Sequence, residues 1–286
     1  MSEVNKITLT ISCPDQIGLV AAVSNFLAKH RVSIIEANHH TDAETKWFFM
    51  RHEIVVDEAI TSLSALETDF QPIAERYEMN WQLACNSVKN KVVLLASKES
   101  HCLTDILHRW HEDELDCEIV AVIANHTEMA KYADWYQLPF HHVDFTKDKT
   151  QAFTDIENLL EQYQADTVVL ARFMQIFPDH LCQKLAHQVI NIHHSFLPSF
   201  VGAKPYHQAY ERGVKLIGAT CHYVTADLDA GPIIEQEIIR ISHSDSVKDM
   251  VRKGKECEKQ ALARGLRYHL EHRVMVQGNK TVIFAD

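Results

Sequence analysis

Residues 189 to 234 read VINIHHSFLPSFVGAKPYHQAYERGVKLIGATCHYVTADLDAGPII, with Asn191, His193 and His194 closing one apolar run and His222 and then Asp229 following another. An amide, several imidazoles and a carboxylate at the ends of adjacent apolar segments could serve a metal centre or a hydrolytic site. Open α/β sheets place such groups beyond the carboxyl ends of their strands, where ligands bind. The metal reading is weak. An HH pair is not HExxH, and no other segment supplies recognisable ligand spacing, so no metal is expected.

The elements that must position these groups alternate between strand and helix. Val92 to Leu95 form an apolar run of the kind found in strands buried on both faces. A helix over 103–113, a strand over 119–124, a helix over 128–137, a short strand over 140–143, a helix over 150–163 and the strand TVVLA over 167–171 follow. This order predicts right-handed βαβ units and a mostly parallel, Rossmann-like sheet. The turn after its first strand, ASKESHC, holds no glycine, so the GxGxxG fingerprint of a dinucleotide enzyme is absent. After TVVLA, the sheet delivers the apolar Phe173, Met174, Ile176 and Phe177, with Gln175 among them, to its carboxyl end, where they either line a slot for a flat heteroaromatic ligand or pack under the following helix.

Upstream, Ile7, Leu9 and Ile11 alternate with Thr8, Thr10 and Ser12, which predicts a strand with one face buried. The segment CPDQIG then gives a turn and an acidic helix start at Asp15, before Ile17, Val20, Ala21, Ser24 and Leu27 mark a helical stripe. Strands over 32–38 and 47–56, a helix over 60–77 and a strand over 81–85 complete βαββαβ. The polar stretch 86–90 is the expected linker between a domain over 5–85 and one over 91–286. Downstream, a strand over 233–241 precedes a long helix from Ser246. The helix carries Val247, Met250, Val251, Gly254, Cys257, Ala261, Leu262, Gly265 and Leu266 on one stripe, read as covering the core with no direct part in chemistry.

Composition limits the function classes. A chain of 286 residues suits one small and one medium domain. The net charge of -11 argues against a nucleic-acid partner, which would need clustered Lys and Arg. Seven scattered cysteines with no CxxC predict reduced thiols and no thiolate zinc site. No apolar run is long enough to span a membrane, and the chain is expected to be cytoplasmic.

The first domain resembles the ACT domain, a small regulatory module with the ferredoxin-like βαββαβ layout. That resemblance implies a homo-oligomer and an amino-acid effector site at the turn Asp15, Gln16, Ile17 and Gly18. His39 and His40, on opposite faces of a strand, are not expected to share a metal.

In the second domain LARFMQIFP, NIHHSFLPSF, GAKPYHQA and HYVTADLDAGPII together resemble the formyltetrahydrofolate-dependent formyltransfer fold of glycinamide ribonucleotide and methionyl-tRNA formyltransferases. The resemblance implies Asn191, His193 and Asp229 as the catalytic set, with His222 positioning the site. It also implies a folate substrate pocket at Phe173, Met174, Gln175 and Ile176, with Lys204 meeting the folate's glutamate tail or ordering its loop. His194 and His207 read as hydrogen-bonded loop histidines. The chemistry agrees: attack on a formyl carbon creates an oxyanion that Asn191 and a donating His193 can stabilise, while Asp229 can accept the nucleophile's proton.

Departures from the transferases point to water as acceptor. The loop 96–102, with Glu99, is poorly suited to hold an acceptor's phosphate, and the tail NKTVIFAD offers no basic tRNA-binding domain. With the ACT-like module, the whole chain is similar to the formyltetrahydrofolate deformylases. This implies hydrolysis of 10-formyltetrahydrofolate, as substrate rather than cofactor, to formate and tetrahydrofolate for one-carbon and purine metabolism. A formyltransferase with an unfamiliar amine site and a non-catalytic folate or amino-acid sensor stay open at this point.

Overall fold

A computed structural model describes residues 4–57, 62–199 and 205–285. They form two compact units, one of Met1–Lys89 with His272–Met275 and Val282–Asp286, the other of Asn90–Glu271 with Val276–Thr281.

The first unit is βαββαβ: β1 (Val4–Pro14), α1 (Leu19–Lys29), β2 (Ser33–Asp42), β3 (Trp47–Asp57), α2 (Leu63–Arg76) and β4 (Asn80–Cys85). The strands form an antiparallel sheet in the order β2-β3-β1-β4. Ile7, Leu9 and Ile11 pack with Val23 and Leu27 of α1 and Leu66 and Phe70 of α2, as the period-two pattern requires. The opposite face is less open than the alternation predicts, because Thr8 and Ser12 are buried as well. On β3, Phe49 is buried in a small apolar cluster with Met275 and Phe284, residues so distant in sequence that local periodicity could not reveal this second cover. The start of α2 is set by Ser62, whose side chain accepts from the Ala65 N–H and so satisfies one of the helix's otherwise unpaired donors. Residues 60 and 61, expected in this helix, lie outside the described residues. His39 bonds His52 through their Nε2 atoms at 2.7 Å, whereas His40 stacks on Phe49.

The second unit is built on a seven-stranded sheet. Its elements are β5 (Asn90–Ala96), α3 (His101–His111), β6 (Cys117–Ala124), α4 (Ala130–Trp135), β7 (Phe140–His142), α5 (Lys149–Tyr163), β8 (Thr167–Ala171), α6 (Asp179–Lys184), β9 (Val189–His193), α7 (Pro205–Arg212), β10 (Leu216–Tyr223), β11 (Ile233–Arg240) and α8 (Val247–Leu270). The order is β11-β10-β9-β8-β5-β6-β7. Strands β9, β8, β5, β6 and β7 are parallel, and β8 is buried along its whole length, as expected for a strand covered on both faces. The pairs β9/β10 and β10/β11 are antiparallel. His222 therefore does not stand beyond a parallel strand's carboxyl end. It lies on β10 directly opposite Asn191 of β9, so the sheet itself holds these two groups side by side.

The α8 stripe is buried from Met250 to Leu266 apart from the half-buried Val251, with Val247 at its start half-buried too, and its small residues allow close approach. A Cβ on Gly265 would lie 2.4 Å from Cys221 Sγ, on β10. Gly265→Ala is therefore expected to lower stability by about 1–3 kcal/mol through overpacking, read as a lower urea midpoint at unchanged m. An unaltered midpoint would mean that the helix can shift away from the sheet. After α8 the chain forms a hairpin, β12 (Val274–Gln277) and β13 (Lys280–Ile283), where the sequence suggested only a tail. Residues His272–Met275 and Val282–Asp286 group with the first unit, so the second unit does not run unbroken from 91 to 286.

Candidate active site

A cavity of about 490 Å³ opens at the carboxyl ends of β8 and β9, within the usual range for small-molecule sites. Asn191, His193, His222 and Asp229 all line it, together with Phe173, Met174, Gln175 and Ile176. The expected polar set and the expected apolar slot thus meet in one place.

The hydrogen bonds assign the His222 ring its state. His222 is buried, and its Nδ1 donates to the Tyr223 carbonyl at 2.8 Å. Burial holds its pKa below the ordinary histidine value, so the ring is neutral and Nε2 carries a lone pair. Asn191 Nδ2 donates to that Nε2 at 3.1 Å, which orients the amide and leaves it one further N–H. His193 Nδ1 stands 3.2 Å from Asp229 Oδ2, while Asp229 Oδ1 is 3.8 Å from His222 Nε2, too far for a hydrogen bond. His193 Nε2 is buried with no hydrogen-bond partner among the described residues, the state of a donor or acceptor reserved for a ligand.

The loop after β10 brings Asp229 to this ring with a left-handed backbone, φ 55°, which asparagine and aspartate tolerate better than most side chains. The His193 hydrogen bond holds the Asp229 carboxyl below the ordinary aspartate value, against the opposing effect of burial. After β9 the turn is pinned by Thr220, whose hydroxyl donates to the Ser195 carbonyl and accepts from the Leu197 N–H. His194 lines the cavity too, and burial, followed by the charge of Arg172, pushes it down to about 4. His207 is exposed on α7, on a helix instead of the expected loop.

The slot residues divide by burial. Phe173 packs into the core with Phe153 and Phe177, whereas Met174 and Ile176 are exposed and present apolar surface to the cavity. Lys204 lies outside the described residues. In the first unit Asp15, Gln16, Ile17 and Gly18 are exposed between β1 and α1. Asp15 does not start the helix. Gly18 caps α1 with φ 99°, no acidic residue stands in the first turn, and the Asp15 N–H donates to the Lys46 carbonyl.

Beside the cavity lies a buried ionic group that sequence reasoning missed. Glu258, in the middle of the α8 stripe, is 1% exposed. It receives hydrogen bonds from His101 Nε2 and Tyr206 Oη, each at 2.8 Å, and pairs with Arg172 Nε at 3.3 Å. Burial opposes its ionisation, yet the His101 bond and the Arg172 charge hold its carboxyl below the usual range. A charged residue inside an otherwise apolar stripe was the available signal, so α8 is not confined to covering the core. His101 and Glu258, with the Cys102 thiol, are the described cluster with ligand atoms close enough for a metal ion. Burial raises the Cys102 thiol well above its ordinary value, Arg172 already supplies a cation, and this set fits an ion-pair network better than a metal site. The loop 96–102 is taken up by the same network, with Glu99 paired to Lys255 and Ser97 accepting from the Met174 N–H.

The class follows from these features and from the matched families: the Formyl transferase family covers residues 90–266 and the ACT domain residues 7–70. The crystal structure of glycinamide ribonucleotide transformylase 1 from Symbiobacterium toebii, 27% identical, matches 69% of this chain and 95% of its own with a TM-score of 0.66. Relatives that share both units extend over the full length. The formyltetrahydrofolate deformylase of Corynebacterium sp. strain P-1 is 44% identical over 99% of each chain. The crystal structure of a formyltetrahydrofolate deformylase from Pseudomonas syringae pv. tomato DC3000 is 56% identical, covers 100% of this chain and 96% of its own, and superposes with a TM-score of 0.95. The chain belongs to the formyltetrahydrofolate deformylase family.

Proposed function

We infer that this chain hydrolyses 10-formyltetrahydrofolate to formate and tetrahydrofolate. Within this family, the observation that carries the chemistry is the division of Asp229, a residue that lines the cavity: Oδ2 engages His193 Nδ1, while Oδ1 has no hydrogen bond to His222. The pterin ring occupies the slot along Met174 and Ile176, which brings the formyl group to Asn191 and His193. Water adds to the formyl carbon as Asp229 Oδ1 takes its proton. The second Asn191 N–H and His193 Nε2–H bind the oxyanion, and His222 keeps the Asn191 amide in place. The C–N bond then breaks as the folate nitrogen takes a proton from His193. Of the two protons left on Asp229 and on formic acid, one restores His193 and the other passes to solvent, so formate leaves beside the regenerated Asp229 carboxylate.

The first unit acts as the regulator. The turn Asp15 to Gly18 is exposed, and Ile34 and Ile35 are exposed on β2, an edge strand open to pairing with a second copy. An amino acid tied to the one-carbon pool, such as glycine or methionine, shifts activity by binding two conformations unequally. The formate feeds one-carbon and purine metabolism.

Product analysis with the full chain tests the assignment. Formate should appear from 10-formyltetrahydrofolate without any amine, and glycine or methionine should change its rate. A product that is mainly formylated amine, formed only when an amine is added, would identify a transferase instead.

A further inference from the structure

Arg172 follows β8 directly and is the one lysine or arginine among the described residues lining the cavity. Its side chain is 13% exposed. Its contact with Glu258 is an ion pair at 3.3 Å, yet Nε makes no hydrogen bond within the described residues. The guanidinium is thus held at Nε by charge, facing Glu258, while the residue itself lines the cavity. A buried arginine donor without an acceptor is costly, and a buried ion pair adds little net stability on its own. The cost of burying this pair is offset if the guanidinium also serves an anion in the cavity that Arg172 lines.

The backbone is arranged to keep the side chain there. Arg172 has φ 63°, a left-handed conformation unusual for a long side chain. Its N–H bonds the Leu170 carbonyl at 3.0 Å, and the Met174 N–H bonds Ser97 Oγ at 3.0 Å. Glu258 is in turn fixed by His101 and Tyr206. Glu258, fixed in turn from α3 and α7, therefore holds one cation at the cavity wall.

The chemistry of the cavity names an anion for it. On the reading that this site hydrolyses a formamide, a neutral formyl group becomes formate in a space where the Asp229 carboxylate is regenerated before the product leaves. Like charges repel strongly where water is scarce, so formate needs a cation before it departs. A guanidinium, with its planar fork of donors, matches a carboxylate well. We propose that Arg172 is a carboxylate-binding group of the active-site cavity and that the anion it receives is the product formate. The substrate's glutamyl carboxylate has the same chemistry and is the competing source.

Titration of the full chain with 13C-labelled formate, followed by NMR line broadening without folate, reads this site independently of turnover. Saturable binding is expected in the unaltered chain. Arg172→Gln should weaken it on the order of 10-fold or more, and Arg172→Lys, which keeps the charge but not the fork, should fall between. Formate inhibition of turnover should weaken in the same order. Thermal melts establish that each variant is folded, and if Arg172→Gln is not, Arg172→Lys against the unaltered chain carries the comparison. Equal formate affinity in the folded variants would overturn the proposal. So would unchanged formate affinity with a raised KM for 10-formyltetrahydrofolate, which would assign Arg172 to the glutamyl tail. A chain that binds formate through Arg172 but releases none from the folate would sink the deformylase reading and leave the anion site standing. Formate release without saturable formate binding would sink the anion site alone.

Discussion

Asp229→Asn is expected to lower formate release by about 10²- to 10⁴-fold, the range for loss of a positioned general base. The substitution isolates basicity from geometry. Asparagine tolerates the left-handed backbone at φ 55°, and its carbonyl oxygen can still accept from His193 Nδ1, which stands 3.2 Å from the present carboxylate. What it lacks is an oxygen able to take a proton from water. The measurement is kcat from formate production, with the melting transition as a check on folding. A variant that keeps full activity would remove Asp229 from proton transfer. The acid side of the pH profile provides a second check. The His193 bond keeps the Asp229 carboxyl below the ordinary 3.8, so the carboxylate persists as pH falls toward that value. A group with a depressed folded pKa contributes stability above its unfolded pKa and loses it as pH falls through the folded one. Neither Asp229's ionisation nor its contribution to stability should therefore begin to fail until pH drops to about its unfolded value. Any fall in rate on mild acidification must come from another group.

His193→Ala is expected to cost about 10²- to 10³-fold in kcat, the range for loss of one donor facing a developing oxyanion. His193 Nε2 is buried and unpartnered among the described residues, so alanine leaves the cavity without a preorganised group at that point. The double variant His193→Ala with Asp229→Asn should be little worse than the more damaged single variant. The imidazole and carboxylate are in contact, and groups that act as a unit are far from additive. If the two effects multiply instead, Asp229 works on water without help from His193. In either case KM should change less than kcat, because the apolar slot along Met174 and Ile176 remains intact.

Much of this site can be read from the chain because its chemistry-bearing residues interrupt strong periodic patterns. TVVLA and VINIH are short apolar runs, and both are strands as expected. Asn191 and His193 alternate with Ile190 and Ile192, which places them on one face of β9 by period alone. The Glu258 network was not legible in that way. His101, Tyr206 and Glu258 sit on three different helices and Arg172 just after β8, and His101 and Glu258 are 157 positions apart. No spacing rule joins such residues. The hairpin after α8 was missed for a related reason: two strands of four residues are too short for alternation to stand out.

The order of residues by itself determined the two-unit layout, the mostly parallel sheet, the small-residue stripe of α8 and the identities of the amide, imidazole and carboxylate groups. These follow from local periodicity and side-chain chemistry, which need no partner to be recognised. Only the tertiary structure decided that β10 runs antiparallel to β9, so that His222 faces Asn191. It alone decided which nitrogen of His193 meets Asp229 and which is left to the cavity, and that a glutamate from α8 reaches Arg172. Protonation and orientation depend on partners at hydrogen-bond distance, and those partners come from distant parts of the chain that only folding brings together.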